Sequence, residues 1–218
     1  MASPNGHGGL TEHEWRAAVM RHHEPAPGVD PWVGPPPVAV PVRVVEYDAA
    51  WPAQFEAVAA GIRAALGGRA LVIEHVGSTS VPGLPAKPVI DVDLTVAHPE
   101  HEADYVPTLE AAGYRLRVRE PEWHEHRCLV RADPAEQPAV NLHVFGPHCP
   151  ETERHRMFRD WLRATPADRA EYRDAKLAAA NAAGEQLVMD YNRHKEPTIR
   201  RVYERMFRAA GWLDDAEE

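Results

Sequence analysis

The sequence predicts an α+β domain, and three observations carry that expectation. Short β-branched segments alternate with single helical segments between residues 42 and 149. After Pro150 the spacing of apolar residues is helical throughout. Ahead of both, seven prolines fall between Pro25 and Pro41, where neither a helix nor a central strand can form. The expected architecture is a mixed sheet of about five strands, with the helix 51–66 against it and a helical subdomain over 150–210. An N-terminal arm covers 1–41, and an acidic tail covers 211–218.

The arm begins with small polar residues, 1–10, expected to be disordered. In TEHEWRAAVMRHH (11–23), Thr11 followed by Glu14 is a capping-box pattern that starts a short helix. The proline-rich remainder should be extended, packing on the domain or on a neighbouring chain and so offering a route to an oligomer. VRVVEY (42–47) reads as the first strand. WPAQFEAVAAGIRAAL (51–66) places Phe55, Val58, Ile62 and Leu66 on one helical face, and Gly67-Gly68 stops it. ALVIEHVG (70–77) and KPVIDVDLTV (87–96) read as strands, and 101–112 as a helix ending at Gly113. YRLRVRE (114–120), HEHRCLVRA (124–132) and PAVNLHVF (138–145) complete the strand set. No internal repeat is visible.

The chain of 218 residues is long enough for a real core, and its hydrophobic content of 44% is globular. A formal charge of −9 supplies no footprint for bulk nucleic acid, while leaving room for a local basic pocket around a small phosphate ligand. Cys128 and Cys149 are far apart and form no CxxC, so a disulfide framework is not expected. There is neither a secretory n-region and h-region at the start nor an apolar run long enough to span a bilayer. The expectation is a cytoplasmic protein without a membrane partner.

Chemistry concentrates in EHVGSTSVPGLPAKPVIDVDLTV (74–96). Asp91 and Asp93 sit two apart in an apolar strand, so both carboxylates leave one face while Ile90, Val92 and Leu94 leave the other. Like charges side by side raise one pKa unless a cation lies between them, and Mg²⁺ is the hard, oxygen-preferring candidate, with Mn²⁺ as the alternative. Gly77 lets a phosphate approach the backbone, and the Ser78 hydroxyl can donate to it. A helical turn over Ser78–Ser80, including Thr79, would add free N–H groups. Carboxylates and phosphate cradle on adjacent strands make a nucleotide–Mg²⁺ site suited to phosphoryl or nucleotidyl transfer.

That segment resembles the Gly-Ser plus Asp-x-Asp signature of DNA-polymerase-β-like nucleotidyltransferases. More narrowly, EYDAAWPAQFEAVAAGIRAAL, IEHVGSTSVPGLPAKPVIDVDLTV, NLHVF and ERHRMFRDWLRATPADRAEYRDAKLAAA together resemble the GrpB-like family over roughly residues 44–208, and a similar domain is fused to some dephospho-coenzyme A kinases. The resemblance implies a minimal nucleotidyltransferase sheet with flanking helices, Gly77 and Ser78 on a triphosphate, and Asp91 and Asp93 on the metal. It also implies a lysine near the nucleotide, matched here by Lys195. One departure stands out. Nucleotidyltransferases usually carry a third carboxylate on a later strand, and the matching strand here offers Asn141, His143 and Phe145 instead. His143 is then the candidate general base or third ligand.

Secondary candidates surround this core. Lys87, four residues before Asp91, is placed to neutralise a phosphate, and Arg127 lies on a strand expected to line the site. His124 and His126, two apart, would share a strand face and could form a transition-metal site with His143, or simply be exposed. His75 either orients the Gly-Ser loop or packs. Arg156, Arg159 and Arg163 share a helix face that meets an anion or solvent. Trp51, Phe55, Trp161, Tyr172, Tyr203 and Phe207 read as packing residues. Three functions remain in view: Mg²⁺-dependent nucleotidyl transfer from a nucleoside triphosphate to a small acceptor, nucleotide binding without transfer, and metal-dependent phosphoryl transfer or hydrolysis using the histidines.

Overall fold

The computed structural model describes residues 7–24, 28–35, 41–131, 138–183 and 188–214. A five-stranded mixed sheet is flanked by helices, as the α+β pattern predicts. Its strands are β1 (Val72–Val76), β2 (Val89–Thr95), β3 (Arg115–Glu120), β4 (His126–Arg131) and β5 (Ala139–Phe145), in the order β1-β2-β5-β4-β3. The pair β2–β5 is parallel and every other pair is antiparallel. The helices are α1 (Glu12–Met20), α2 (Trp51–Leu66), α3 (Val106–Ala111), α4 (Pro150–Ala164), α5 (Pro166–Ala183) and α6 (Val188–Ala209). Among the described residues no helix is long and apolar enough to cross a membrane.

Alternation along the strands divides the sheet into two unlike faces. Ile90, Val92 and Leu94 of β2 and Val140, Leu142 and Val144 of β5 point under α2 and α3. They meet Phe55, Val58, Ile62, Leu66, Val106 and Leu109 in the main core. The opposite face carries Asp91 and Asp93 of β2, Asn141 and His143 of β5, and His126 and Cys128 of β4. α4 lies over it, with His155 bonded to Asp93.

Several local expectations hold for physical reasons visible in the structure. Thr11 and Glu14 form the reciprocal capping box at α1. α2 runs over the expected residues, with Pro52 in its first turn, where a missing N–H costs nothing. The expected helix 101–112 is instead a 3₁₀ turn, Glu102–Asp104, followed by α3. Pro107 explains the break, because its ring is accommodated only in a helix's first turn.

Two expectations are corrected. Residues 42–47 are not a strand: only Val45 pairs, through two hydrogen bonds with Ala86, each 2.9 Å. Val42 and Val44 pack instead on Ala179 of α5 and Tyr191 of α6. His124 does not stand on β4 beside His126; it lies in the preceding turn with φ 55°, and Glu125 follows at φ 54°. That turn reverses the chain between β3 and β4, and its left-handed residues leave the ladder.

The described part of the arm packs on its own domain. α1 inserts Trp15 and Val19 against Tyr203, Met206 and Phe207 of α6. Further on, Val33 donates to the Arg117 carbonyl and Arg119 to the Pro31 carbonyl, both at 2.9 Å, extending the sheet at its β3 edge. The expected disorder of 1–10 falls, for residues 1–6, outside the described residues. So do 25–27 and 36–40 of the proline-rich stretch and 215–218 of the acidic tail.

Candidate functional site

The site grows from the junction of β1 and β2. β1 ends at Val76, which pairs with Asp91, and Gly77 follows with φ 67°. A Cβ on residue 77 would lie 2.2 Å from Asp91 Oδ2, so only glycine fits here. The expected turn over Ser78–Ser80 is present as a 3₁₀ turn. The Thr79 hydroxyl donates to the Val89 carbonyl at 3.2 Å, so the His75 Nε2–H is the donor to Thr79, at 3.0 Å. Thr79 is buried and its hydroxyl is committed to holding the loop. His75 sits on the apolar face, stacked on Phe55 with ring centroids 4.6 Å apart, and burial with the charges of Arg163 and Arg159 depresses it to about 4.

α4 braces the same loop at both ends. Arg159 donates to the His75 carbonyl at 3.0 Å, and Arg163 donates twice to the Ser80 carbonyl, at 3.1 and 2.7 Å. Both arginines tie the loop to the helix, Arg159 from a mostly buried position and Arg163 with its side chain still 43% exposed. Arg156 turns outward to Glu153 and Asp160.

Asp91 and Asp93 share a face as alternation predicts, but their surroundings differ. Asp91 Oδ1 accepts from Asn141 Nδ2 at 2.8 Å. Burial pushes the Asp91 carboxyl above its usual range, against that hydrogen bond and the nearby charges of Lys195, Lys87 and His155. Asp93 is only 2% exposed. His155 Nδ1–H donates to its Oδ2 at 2.9 Å, and the other ring nitrogen meets Glu151 Oε1 at 3.1 Å. Burial alone would lower His155, but Asp93 and Glu151 outweigh it and hold the imidazolium up at about 10. Glu151 is in turn held well below its usual range by His155 and Arg154, against its own burial.

His143 stands opposite Asp93 across the β2–β5 pair. Its Nδ1 lies 3.1 Å from His126 Nε2, and His126 Nδ1–H donates to Glu120 Oε2 at 2.7 Å. The carboxylate fixes the His126 tautomer, so in the neutral pair His143 donates from Nδ1 and keeps its Nε2 lone pair. Burial, then the charges of His126 and His155, hold His143 well below the usual histidine range.

The structure thus brings Gly77, Ser78, Asp91, Asp93 and His143 together, with Lys87 and Lys195 near enough to act on Asp91. Arg127 does not join them. It pairs with Val144, on the apolar side of the sheet, and is bound to Glu102 at 2.6 Å. β5 carries no carboxylate, as its sequence predicts; the further acids nearby are Glu74 of β1, opposite Asp93 across the β1–β2 pair, and Glu151, reached through His155. Among the described residues no three His, Cys, Asp or Glu side chains converge as metal ligands. His124, His126 and His143 therefore form no such group. Both cysteines are buried, which pushes their thiols up to about 12 and leaves them unreactive.

Sequence reasoning missed His155, Glu151 and Lys176. Lys176 of α5 is 2% exposed, donates to the Pro85 carbonyl at 2.6 Å, and feels Asp91 and Lys195. One signal was available: only three of the 24 basic residues are lysine, at 87, 176 and 195.

Comparison with known proteins gives one consistent relationship. The family model described as GrpB protein matches residues 41–205. A UPF0157 protein of Halalkalibacterium halodurans is 44% identical over 164 residues, covering 75% of this chain and 82% of that protein. The dephospho-CoA kinase of Mycolicibacterium paratuberculosis is 36% identical over 80% of this chain, which spans only 47% of that longer protein. The crystal structure of conserved protein GrpB from Enterococcus faecalis superimposes with a TM-score of 0.67 at 30% identity, covering 77% of this chain and 99% of that one.

Proposed function

The chain belongs to the GrpB family, and from that premise we propose that the Gly77–Ser80 loop and the Asp91–Asp93 strand bind a nucleoside triphosphate with Mg²⁺ and move its nucleotidyl group to a small acceptor. The observation that carries the reading is the fit of loop to carboxylate. Gly77 packs so closely on Asp91 that a phosphate cradle and a carboxylate site are built as one unit. The DNA-polymerase-β-like signature supports the same assignment by resemblance.

The residues present fit the metal. Asp91 and Asp93 offer hard oxygens on one face, and Asp91 is a partly buried carboxylate whose pKa is raised by desolvation, the state that a cation relieves. Asp91 and Asp93 would hold Mg²⁺, or Mn²⁺ in its place, and the ion would neutralise phosphate charge there. Ser78, whose hydroxyl makes no hydrogen bond among the described residues, would donate to a phosphate oxygen. Lys87 and Lys195 would counter its charge. The His143 Nε2 lone pair would accept the acceptor's proton, the task otherwise given to a third carboxylate. Asn141 and His155 hold the two aspartates in place. Thr79 supports the loop rather than the ligand, and Arg127 stays outside the site.

A small acceptor suits a chain of formal charge −9, whose overall charge does not favour bulk nucleic acid. The relatives named dephospho-CoA kinase favour a metabolite over a polymer. The competing reading is a nucleotide-binding module without transfer. It is favoured by β5, which carries Asn141 and His143 where an acid is usual, and by His155, which occupies Asp93.

A pyrophosphate-release assay with each nucleoside triphosphate and a panel of hydroxyl- and amine-bearing metabolites tests the proposal. Release that disappears in Asp91→Asn/Asp93→Asn, with the fold intact, supports transfer. Full release in that double variant sinks it. Nucleotide binding with no release under any metal supports the binding module.

A further inference from the structure

The chain uses arginine for nearly all its positive charge, yet its three lysines gather at one carboxylate. Lys87 stands at the entrance to β2, Lys176 comes from α5 and Lys195 from α6. Lys176 donates to the carbonyl of Pro85, two residues before Lys87, and Lys195 stands over the Tyr191 ring; the charges of Lys87 and Lys195 act on Asp91, and those of Asp91 and Lys195 on Lys176. Arginines elsewhere are paired with carboxylates, as in Arg154–Glu151, Arg205–Asp168 and Arg127–Glu102. None of the three lysines lies within ion-pair distance of a carboxylate among the described residues. The cluster is an accumulation of unpaired positive charge, the reverse of what burial favours unless an anion completes it.

Lys176 is the extreme member. Its amine has three donor positions as an ammonium, and the Pro85 carbonyl is its only hydrogen-bond partner among the described residues. Tyr172 lies beneath it, with the nitrogen 5.3 Å from the ring centroid. Lys195 reaches in from α6, where it stands 4.9 Å over the Tyr191 ring. Asp91 is the nearby carboxylate, and burial has already raised it. An ammonium in this setting has little water and, as counter-charge, only an Asp91 shared with two other lysines, so the neutral amine is favoured until an anion binds. Burial, reinforced by Lys195, depresses Lys176 to about 6. Arginine could not behave in this way, since a guanidinium stays charged.

We propose that Lys87, Lys176 and Lys195 form a cradle for a chain of two or three phosphates, and that Lys176 takes up a proton from solvent as the anion enters. The first half deepens the nucleotide reading above by naming the part of the ligand that is held. The second half is independent of any transfer chemistry. No bond other than N–H forms, and the proton comes from buffer. Binding should therefore weaken as pH rises, and the α5–α6 hairpin, through Lys176 and Lys195, becomes a ligand-bearing element and not only packing.

The test is calorimetric titration of inorganic tripolyphosphate without divalent metal at about pH 8, in two buffers of different ionisation heat. The difference in heats counts protons taken up. Wild type is expected to take up about one proton per anion more than Lys176→Arg does. Lys176→Arg should bind with that uptake gone. Lys176→Met should lose the uptake and bind about tenfold more weakly. Lys195→Gln, at a half-buried position, should also weaken binding about tenfold. No binding by wild type overturns the cradle, and so does binding unaffected by Lys195→Gln. Tripolyphosphate carries a titrating proton of its own at this pH, so the count is read as the difference between wild type and Lys176→Arg: no difference overturns the proton coupling, and, where the Lys176 variants fail to fold, so does wild-type binding that only tightens as pH rises, which is what titration of the ligand alone would give. Tripolyphosphate carries no nucleotidyl group. Binding here without pyrophosphate release in the transfer assay keeps the cradle and removes the transferase, while release without tripolyphosphate binding does the reverse.

Discussion

The two faces of the sheet use the same strands to opposite ends, and two histidines show the contrast best. His75 lies on the apolar side, stacked on Phe55, and burial with the charges of Arg163 and Arg159 depresses it to about 4. His155 lies on the polar side, bridging Asp93 and Glu151, and is held at about 10. Both are imidazoles in largely buried settings; the difference is whether a carboxylate partner accompanies the burial. One face supplies stability through dry packing. The other concentrates charges that only ligands or one another can satisfy. Stability and chemistry should therefore be separable by mutation.

The largest expected effect is on the dry face. Leu142→Ala removes a fully buried side chain and should cost about 3 kcal/mol in chemical denaturation. Asp91→Asn, one strand away on the other face, should leave the midpoint unchanged or raise it, because it removes a desolvated carboxylate. If Asp91→Asn cost as much as Leu142→Ala, the division between the faces would be wrong.

Gly77→Ala comes next. Its φ of 67° and the contact with Asp91 force the loop to shift, at about 1–3 kcal/mol, and should abolish nucleotide binding. An alanine variant that binds normally would show that the loop and the carboxylate are not one unit.

Smaller effects come from pH. His155 is raised in the folded state, so in metal-free protein its contribution is fully present below about pH 6.5. That contribution shrinks as pH rises and is gone above about 10. His75 is depressed, so its contribution is present above about pH 6.5 and is lost as pH falls towards about 4. Thermal melts across pH should show the alkaline limb change in His155→Gln and the acid limb change in His75→Gln. Exchanged or absent effects would contradict the assignment of the two histidines.

Much of the fold was legible because it is local. β-branched runs gave β2 and β5, helical spacing gave α2 and the three C-terminal helices, and period-two alternation put Asp91 and Asp93 on one face. Strand register was not legible. Arg127 reads as a site residue until β4 is paired with β5, which turns it towards Glu102 on the other side. His124 reads as a partner of His126 until the turn between β3 and β4 removes it from the strand. Residues 42–47 have strand composition but find only the Val45–Ala86 pair. His155, Glu151 and Lys176 reach the site from helices, so their role depends on how α4 and α5 dock, which no local pattern encodes. For Lys176 the rarity of lysine was the one hint.

The central claim is that Asp91 and the Gly77 loop make one metal–nucleotide site. The most direct measurement is calorimetric titration of nucleoside triphosphates with and without Mg²⁺, on wild type and on Asp91→Asn. The account predicts binding that tightens with the metal in wild type and loses that metal dependence in Asp91→Asn. Equal affinity in the two proteins with Mg²⁺ present, or no binding of any triphosphate by wild type, would contradict it.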